Sequence, residues 1–244
     1  MPSRYQELPP APDLAGHLQC VWTSVVERAP ERAHVLPDAC IDILWFGGRL
    51  VVAGPDTGPR LVPMPPGTSI AAVRFRPGAA PALLGVPAAA LRDDTVPLAQ
   101  LWGDAAAGRL AEELAAARGG ADRVAVLQAT IRHRLPAAAP VDPLTGGLVA
   151  ELDAPWPAPV AGLAAATGLS ERQLHRRCVA AFGYGPKTLD RVLRLQRFLA
   201  LGRSPGRRPG SLATLAVDAG YADQAHLAHD CRRLAGATPA GLLR

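Results

Sequence analysis

Leu163-Ala164-Ala165-Ala166-Thr167-Gly168-Leu169 and, 52 positions on, Leu215-Ala216-Val217-Asp218-Ala219-Gly220-Tyr221 are two versions of one phrase. One inserted residue then moves the offset to 53: Leu174 matches Leu227, Cys178 matches Cys231, Gly183 matches Gly236, and Pro186 matches Pro239. A repeat of this kind is one supersecondary unit used twice. Each phrase is an apolar helical segment that stops at a glycine, where a left-handed residue costs little. An apolar plug, Leu169 or Tyr221, closes the turn.

The residues after each turn start a second helix. Ser170 sits as an N-cap with Gln173 three residues on, the spacing of a capping box. Asp223 can cap the equivalent helix of the second copy. Each helix would bury Leu174 and Cys178, or Leu227 and Cys231, and leave its other face free. That is the helix-turn-helix arrangement, whose second helix enters the major groove of DNA by its N-terminal end. The spacing predicts units near 158–183 and 210–236, within helices over roughly 143–152, 158–167, 171–182, 186–202, 209–219 and 223–235.

On the first free face Arg172, His175 and Arg176 stand side by side at i, i+3, i+4. Arginine can donate two hydrogen bonds to guanine. On the second, Gln224, Ala225, Ala228 and His229 are the base-reading candidates; glutamine suits adenine and alanine a thymine methyl. Ser170, Arg177, Lys187, Arg191, Arg232 and Arg233 lie near the turns and are candidates for phosphate contacts, which position without reading sequence.

Charge follows the same division. Residues 1–141 hold 13 Lys+Arg and 13 Asp+Glu, whereas residues 142–244 hold 13 against 8. The excess of +5 therefore lies wholly in the C-terminal part, which suggests a polyanionic partner there. No run of eighteen apolar residues occurs and the N-terminus has no signal pattern, so a cytoplasmic protein without a membrane partner is expected. Cys20, Cys40, Cys178 and Cys231 form no C-x-x-C pair, and are expected to be reduced, mostly buried thiols with no metal and no cofactor.

The first hundred residues read as short strands punctuated by proline and glycine: 17–26, 41–46, 49–53 and 68–75, with Gly47-Gly48 as a hairpin turn. A small barrel or sandwich fits this spacing. Short helices follow at 79–84 and 88–91, then two amphipathic helices at 98–117 and 120–135. The fold class expected is α+β in two domains: 1–138, a small β-barrel or sandwich with following helices, and 142–244, all-α, joined through Pro136 to Pro140.

The C-terminal residues resemble the DNA-binding domain of the AraC/XylS family of bacterial transcription regulators over about residues 145–244. The matches are Leu163 to Arg176, Phe182-Gly183-Tyr184-Gly185-Pro186, the helix Leu189 to Leu201, Leu215 to Leu227, and Arg232 to Pro239. The resemblance implies two helix-turn-helix subdomains joined by a long helix, reading two successive major-groove segments on one face of double-stranded DNA. His229 stands where the family usually has arginine, and Cys178 and Cys231 replace its usual core phenylalanine. The segments 36–45, 52–57 and 73–78 resemble a sensor-type domain found ahead of such DNA-binding domains. By that analogy residues 1–138 would bind a small-molecule effector, form a homodimer, or both, and RNA polymerase is a candidate partner.

No enzyme motif is present, so no catalytic residue is assigned. Trp22, Asp38, Asp42, Trp45 and Arg74 are the effector-site candidates, since such pockets pair aromatics with a few polar anchors. In a strand, Asp38, Cys40 and Asp42 would share one face, with Ile41, Ile43 and Trp45 on the other. Two alternatives stand beside this reading. Cys40 with Asp38 and Asp42 would ligate a metal or accept an alkyl group, or the N-terminal half would only dimerise.

Overall fold

The computed structural model describes residues 3–27, 32–154, 157–204 and 211–243. The strands are β1 (Ser3–Leu8), β2 (Leu18–Val26), β3 (Arg32–Val35), β4 (Asp42–Phe46), β5 (Arg49–Ala53), β6 (Arg60–Pro63), β7 (Ser69–Phe75) and β8 (Thr95–Pro97). N-terminal helices are α1 (Ala80–Leu84), α2 (Ala99–Trp102), α3 (Asp104–Ala116) and α4 (Gly120–Arg134). The C-terminal set is α5 (Pro143–Leu152), α6 (Val160–Ala166), α7 (Glu171–Phe182), α8 (Pro186–Arg203), α9 (Leu212–Asp218), α10 (Gln224–Ala235) and α11 (Pro239–Leu242).

The main sheet has six strands in the order β1-β2-β7-β4-β5-β8, and β3 pairs with β6 in a separate ribbon. Gly47 and Gly48 turn β4 into β5 with φ of 54° and 77°, the left-handed pair that a two-residue hairpin needs. Of the barrel or sandwich expected from sequence, the barrel does not close. The sheet ends at β1 and at β8, a three-residue strand containing Pro97, which has no N–H to extend a ladder. A layered, sandwich-like domain is what forms. Val21, Ile43, Trp45, Val52, Val73 and Phe75 bury one sheet face against Leu84, Leu110, Leu127 and Ile131 of the helices. The other face carries Cys20, Trp22, Ile70 and Ala72, with Met64 beyond the ribbon packed on them.

The helix expected over 98–117 is two helices. Gly103, with φ 82° and ψ 155°, ends α2 and precedes α3, a backbone state that L-residues avoid. The linker is also less free than its composition suggests. Leu135–Ala137 is a 3-10 turn, Ala139 N–H donates to the Ala82 carbonyl at 3.2 Å, and Asp142 caps α5 through Leu144 N–H.

One core serves both C-terminal units. Leu163, Leu174, Cys178 and Phe182 join Leu215, Tyr221, Leu227, Cys231 and Leu234 in a single cluster. Helix α8 runs through it, with Leu189, Val192, Leu195 and Phe198 fully buried. The N-terminal domain enters the same cluster through Ala39, with Leu36 packed against it. Gln196 Nε2 donates to the Pro37 carbonyl at 2.6 Å. In the segment after β5, Asp56 is buried 3.2 Å from Arg60, and burial pushes its carboxyl up to about 6.

Two outcomes are expected. Phe198→Ala should cost about 3–5 kcal/mol in denaturant unfolding, because a core aromatic is lost and a cavity left. Hydrogen exchange should then rise in α7 and α10 together; a rise confined to one unit would contradict a shared core. For Asp56, the folded state holds a proton that the unfolded chain has already released between about pH 4 and 6. Stability should therefore fall as pH rises through that window. Asp56→Asn should remove the fall, so its melting temperature relative to wild type should climb from pH 4 to 6.5 and then level off.

Candidate nucleic-acid interface

The two turns are the same structure twice. Gly168 and Gly220 take φ of 67° and 88°. Leu169 N–H returns to the Ala164 carbonyl at 3.0 Å, and Tyr221 N–H to the Ala216 carbonyl at 2.9 Å. Gly168 N–H meets the Ala165 carbonyl at 3.1 Å, and Gly220 N–H the Val217 carbonyl at 2.9 Å. These bonds satisfy carbonyls that a helix end leaves unpaired. The capping box read from sequence forms on both sides: Gln173 N–H donates to Ser170 Oγ at 3.3 Å and Ser170 N–H to Gln173 Oε1 at 2.9 Å. In the second unit Asp223 Oδ1 accepts from His226 N–H at 2.7 Å. Each such cap contributes about 1 kcal/mol.

Beyond the caps, α7 exposes Arg172, His175 and Arg176, while α10 exposes Gln224, Ala225 and His229 with Ala228 half-buried. The structure thus brings each set onto an open face. His175 is the less free member of the first. Its ring lies over Gly185, where an added methyl would sit 2.5 Å from Cε1. Only a glycine there lets the ring lie down beside the start of α8. His226, at the margin of the second set, stands edge-on to the Tyr221 ring at 5.2 Å.

The phosphate candidates divide. Lys187, Arg232 and Arg233 are exposed, and the last two also complement the C-terminal end of α10. Ser170 spends its hydroxyl on Gln173. Arg177 is held by Asp142, its Nε 2.9 Å from Oδ2 and its Nη2 on Oδ1. The guanidinium keeps the Asp142 carboxyl below the usual carboxylate range. Arg191 turns toward buried Asp230 of α10, 3.9 Å away. Sequence spacing placed Arg177 and Arg191 near the turns, but their acidic partners lie 35 and 39 positions off in α5's cap and α10.

Four of the effector candidates, Trp22, Asp38, Asp42 and Arg74, pair with one another. Arg74 donates to both Asp42 oxygens at 3.0 Å and lies 3.4 Å from Asp38 Oδ2. Trp22 Nε1 donates to Asp42 Oδ2 at 3.0 Å, and the Arg74 guanidinium sits 6.0 Å from the Trp22 ring centre. These groups satisfy one another. Burial pushes the Asp42 carboxyl up while Arg74 opposes it. Trp45 is on the opposite sheet face, in the helix-covered core. Asp38 and Cys40 precede β4, and Ala39 between them takes φ 64°, so the alternation expected across 38–42 is broken. Burial pushes the Cys40 thiol well up, which disfavours the thiolate that alkyl transfer or metal ligation needs. Among the described residues no three His, Cys, Asp or Glu converge on a metal position, and Arg74 already supplies the cation between Asp38 and Asp42. Cys20, Cys178 and Cys231 are buried, as expected for packing thiols.

Residues 163–244 match a family described as a helix-turn-helix domain, and residues 6–97 match one described as a domain of unknown function, DUF6597. No curated protein matches the chain. Among solved structures, an AraC-type transcriptional regulator from Chromobacterium violaceum is 22% identical with a TM-score of 0.35, over 41% of this chain and 85% of its own. A probable AraC family regulator from Rhodopseudomonas palustris is 25% identical with a TM-score of 0.35, over 41% and 90%. ToxT from Vibrio cholerae spans 99% of this chain and 96% of its own at 8% identity and a TM-score of 0.46. No described helix is long and apolar enough to cross a membrane.

If the Trp22–Asp42–Arg74 network braces the fold, Arg74→Met strands a buried carboxylate and should cost about 3–5 kcal/mol in denaturant unfolding. A loss under about 1 kcal/mol would instead mark Arg74 as a side chain held free for a ligand.

Proposed function

We propose that this chain, whose residues 163–244 are an AraC-type helix-turn-helix domain of a DNA-binding regulator family, reads two successive major-groove segments with α7 and α10 and regulates transcription there. The observation that carries this is the doubled glycine turn. Each copy is followed by a capped helix whose N-terminal face is open, and both helices are anchored in one core. Arg172 and Arg176 are the main base readers, with His175 beside them. Gln224, Ala225, Ala228 and His229 read the second segment more weakly, for want of an arginine. Lys187, Arg232 and Arg233 contact phosphates. Arg177 and Arg191 act inside the protein, through Asp142 and Asp230.

Control belongs to the N-terminal domain. It is docked on the reading domain, so a molecule that shifts one shifts the other. Because Arg74 and Asp42 are already paired, an effector would enter elsewhere. A cleft of about 380 Å³ lies at the junction, between Pro81, Ala82 and Val86, the linker residues Pro140 and Val141, and Ala180 of α7. Its walls suit a small apolar molecule.

Selection of bound fragments from genomic DNA should return a site in two parts about one helical turn apart. On that site Arg176→Ala should weaken binding by about 1–3 kcal/mol and relax preference at one base pair. Equal loss on random DNA would make Arg176 a phosphate contact. For the N-terminal domain, thermal-shift screening against metabolites and metals should raise the melting temperature with at least one compound. No shift, together with a dimer in solution, would make that domain a dimerisation module.

A further inference from the structure

The C-terminal ends of the two reading helices share a neighbour. Gly183 closes α7 with φ 85° and Gly236 closes α10 with φ 63°, at matching positions of the repeat. A methyl added at Gly183 would lie 2.7 Å from Pro55 Cγ, and one at Gly236 would lie 3.4 Å from Pro59 Cγ. Both prolines belong to one segment of the N-terminal domain, Gly54-Pro55-Asp56-Thr57-Gly58-Pro59.

That segment is stiff. Its prolines fix φ. Gly54 N–H donates to the Asp94 carbonyl at 3.0 Å, and Asp93 N–H to the Pro55 carbonyl at 3.1 Å. Thr57 donates from its N–H to Asp93 Oδ1 at 2.6 Å and from its hydroxyl to Oδ2 at 2.8 Å. Gly54 is backed so closely on Leu91 that a methyl there would sit 1.7 Å from the Leu91 carbonyl oxygen. Arg92, the next residue, reaches across and donates to the Gly183 carbonyl at 3.1 Å.

We propose that the 54–59 segment, with Arg92, is a positioning clamp that holds the C-terminal ends of both reading helices at a fixed separation and so sets the half-site spacing the chain accepts. The proposal rests on the DNA-reading assignment above. Helix α8 ties the two units from inside their shared core. The segment adds a second tie at the far ends of the same two helices, and two ties resist the relative rotation that one permits. The Pro55 and Arg92 contacts fall at Gly183 and the Pro59 contact at Gly236, the helix ends opposite the capped N-terminal turns. Arg172, Arg176, Gln224 and His229 stay exposed, so the clamped arrangement is the one that reads DNA. Spacing between half-sites is a geometric consequence of how two readers are held.

The test uses the full chain as wild type, as Pro55→Ser/Pro59→Ser, and as Arg92→Ala. Each is measured on the selected site and on sites with one base pair inserted or removed between the halves. Wild type should lose about tenfold or more on the shifted sites, and the variants should lose at least about threefold less, while staying within about threefold on the original site. Hydrogen exchange without DNA should also quicken in the last turns of α7 and α10 in both variants. Undiminished spacing discrimination in the variants overturns the clamp, and so does an equal loss on every site. If the double variant does not fold, Arg92→Ala decides on the same readouts, since its side chain is half exposed. A wild-type chain that selects no site at all defeats the DNA-reading assignment, while the exchange comparison still decides whether the segment restrains the helices.

Discussion

The apolar stripe of α8 is the constraint on which the reading domain depends. Leu189, Val192, Leu195 and Phe198 lose all contact with water, and what covers them comes from both helix-turn-helix units. Helix α7 of the first unit and helices α9 and α10 of the second all pack on α8. Burying a leucine or phenylalanine side chain is worth about 1.5–3 kcal/mol, so separating the units would expose several such groups at once. The glycine turns, caps and open faces can be specified locally, but their mutual placement is set by this one helix.

The N-terminal domain adds restraint to the same assembly. Its contribution to the shared core is slight, Ala39 with Leu36 beside it, yet the segment carrying Ala39 is held by a polar network of Asp38, Asp42, Arg74 and Trp22. Asp42 takes two bonds from Arg74 and one from Trp22, and Asp38 takes a further charge contact from Arg74 and a bond from Cys40 N–H. A left-handed Ala39 is costly for a residue with a side chain, and persists because its surroundings over-determine it. Asp38, Asp42 and Arg74 thus brace the loop that carries Ala39.

What was legible in the sequence was what local chemistry dictates. The repeat, the two turns, the capping box at Ser170 and Gln173, and the hairpin at Gly47-Gly48 each depend on residues within a few positions of one another. What was not legible depends on partners far along the chain. Asp42 stands opposite Arg74 only because β4 pairs with β7, a fact of strand order that no spacing reveals. Arg177 looked free because Asp142 is a loop residue until the linker folds back. Period-two alternation did place Trp45 away from Asp42, and that signal alone argued against grouping them. Gly103 was passed over because one glycine in an amphipathic run is tolerated, and only its backbone angles show the break.

The asymmetry between the readers follows from the same rigidity. Helix α7 presents arginines, whereas α10 presents a glutamine, alanines and a histidine. Free in solution, a face like that of α10 would bind DNA poorly, since each association must offset several kcal/mol of lost translational and rotational freedom. Fixed to α7 through a common core, it meets that cost only once for the pair. On the proposed reading, its few contacts then add to affinity almost undiminished, as a tethered second module does when its effective concentration is high. A weak second reader is therefore enough, provided it cannot move relative to the first, and that is a reason for a chain with this division of charge to invest so many buried residues in α8.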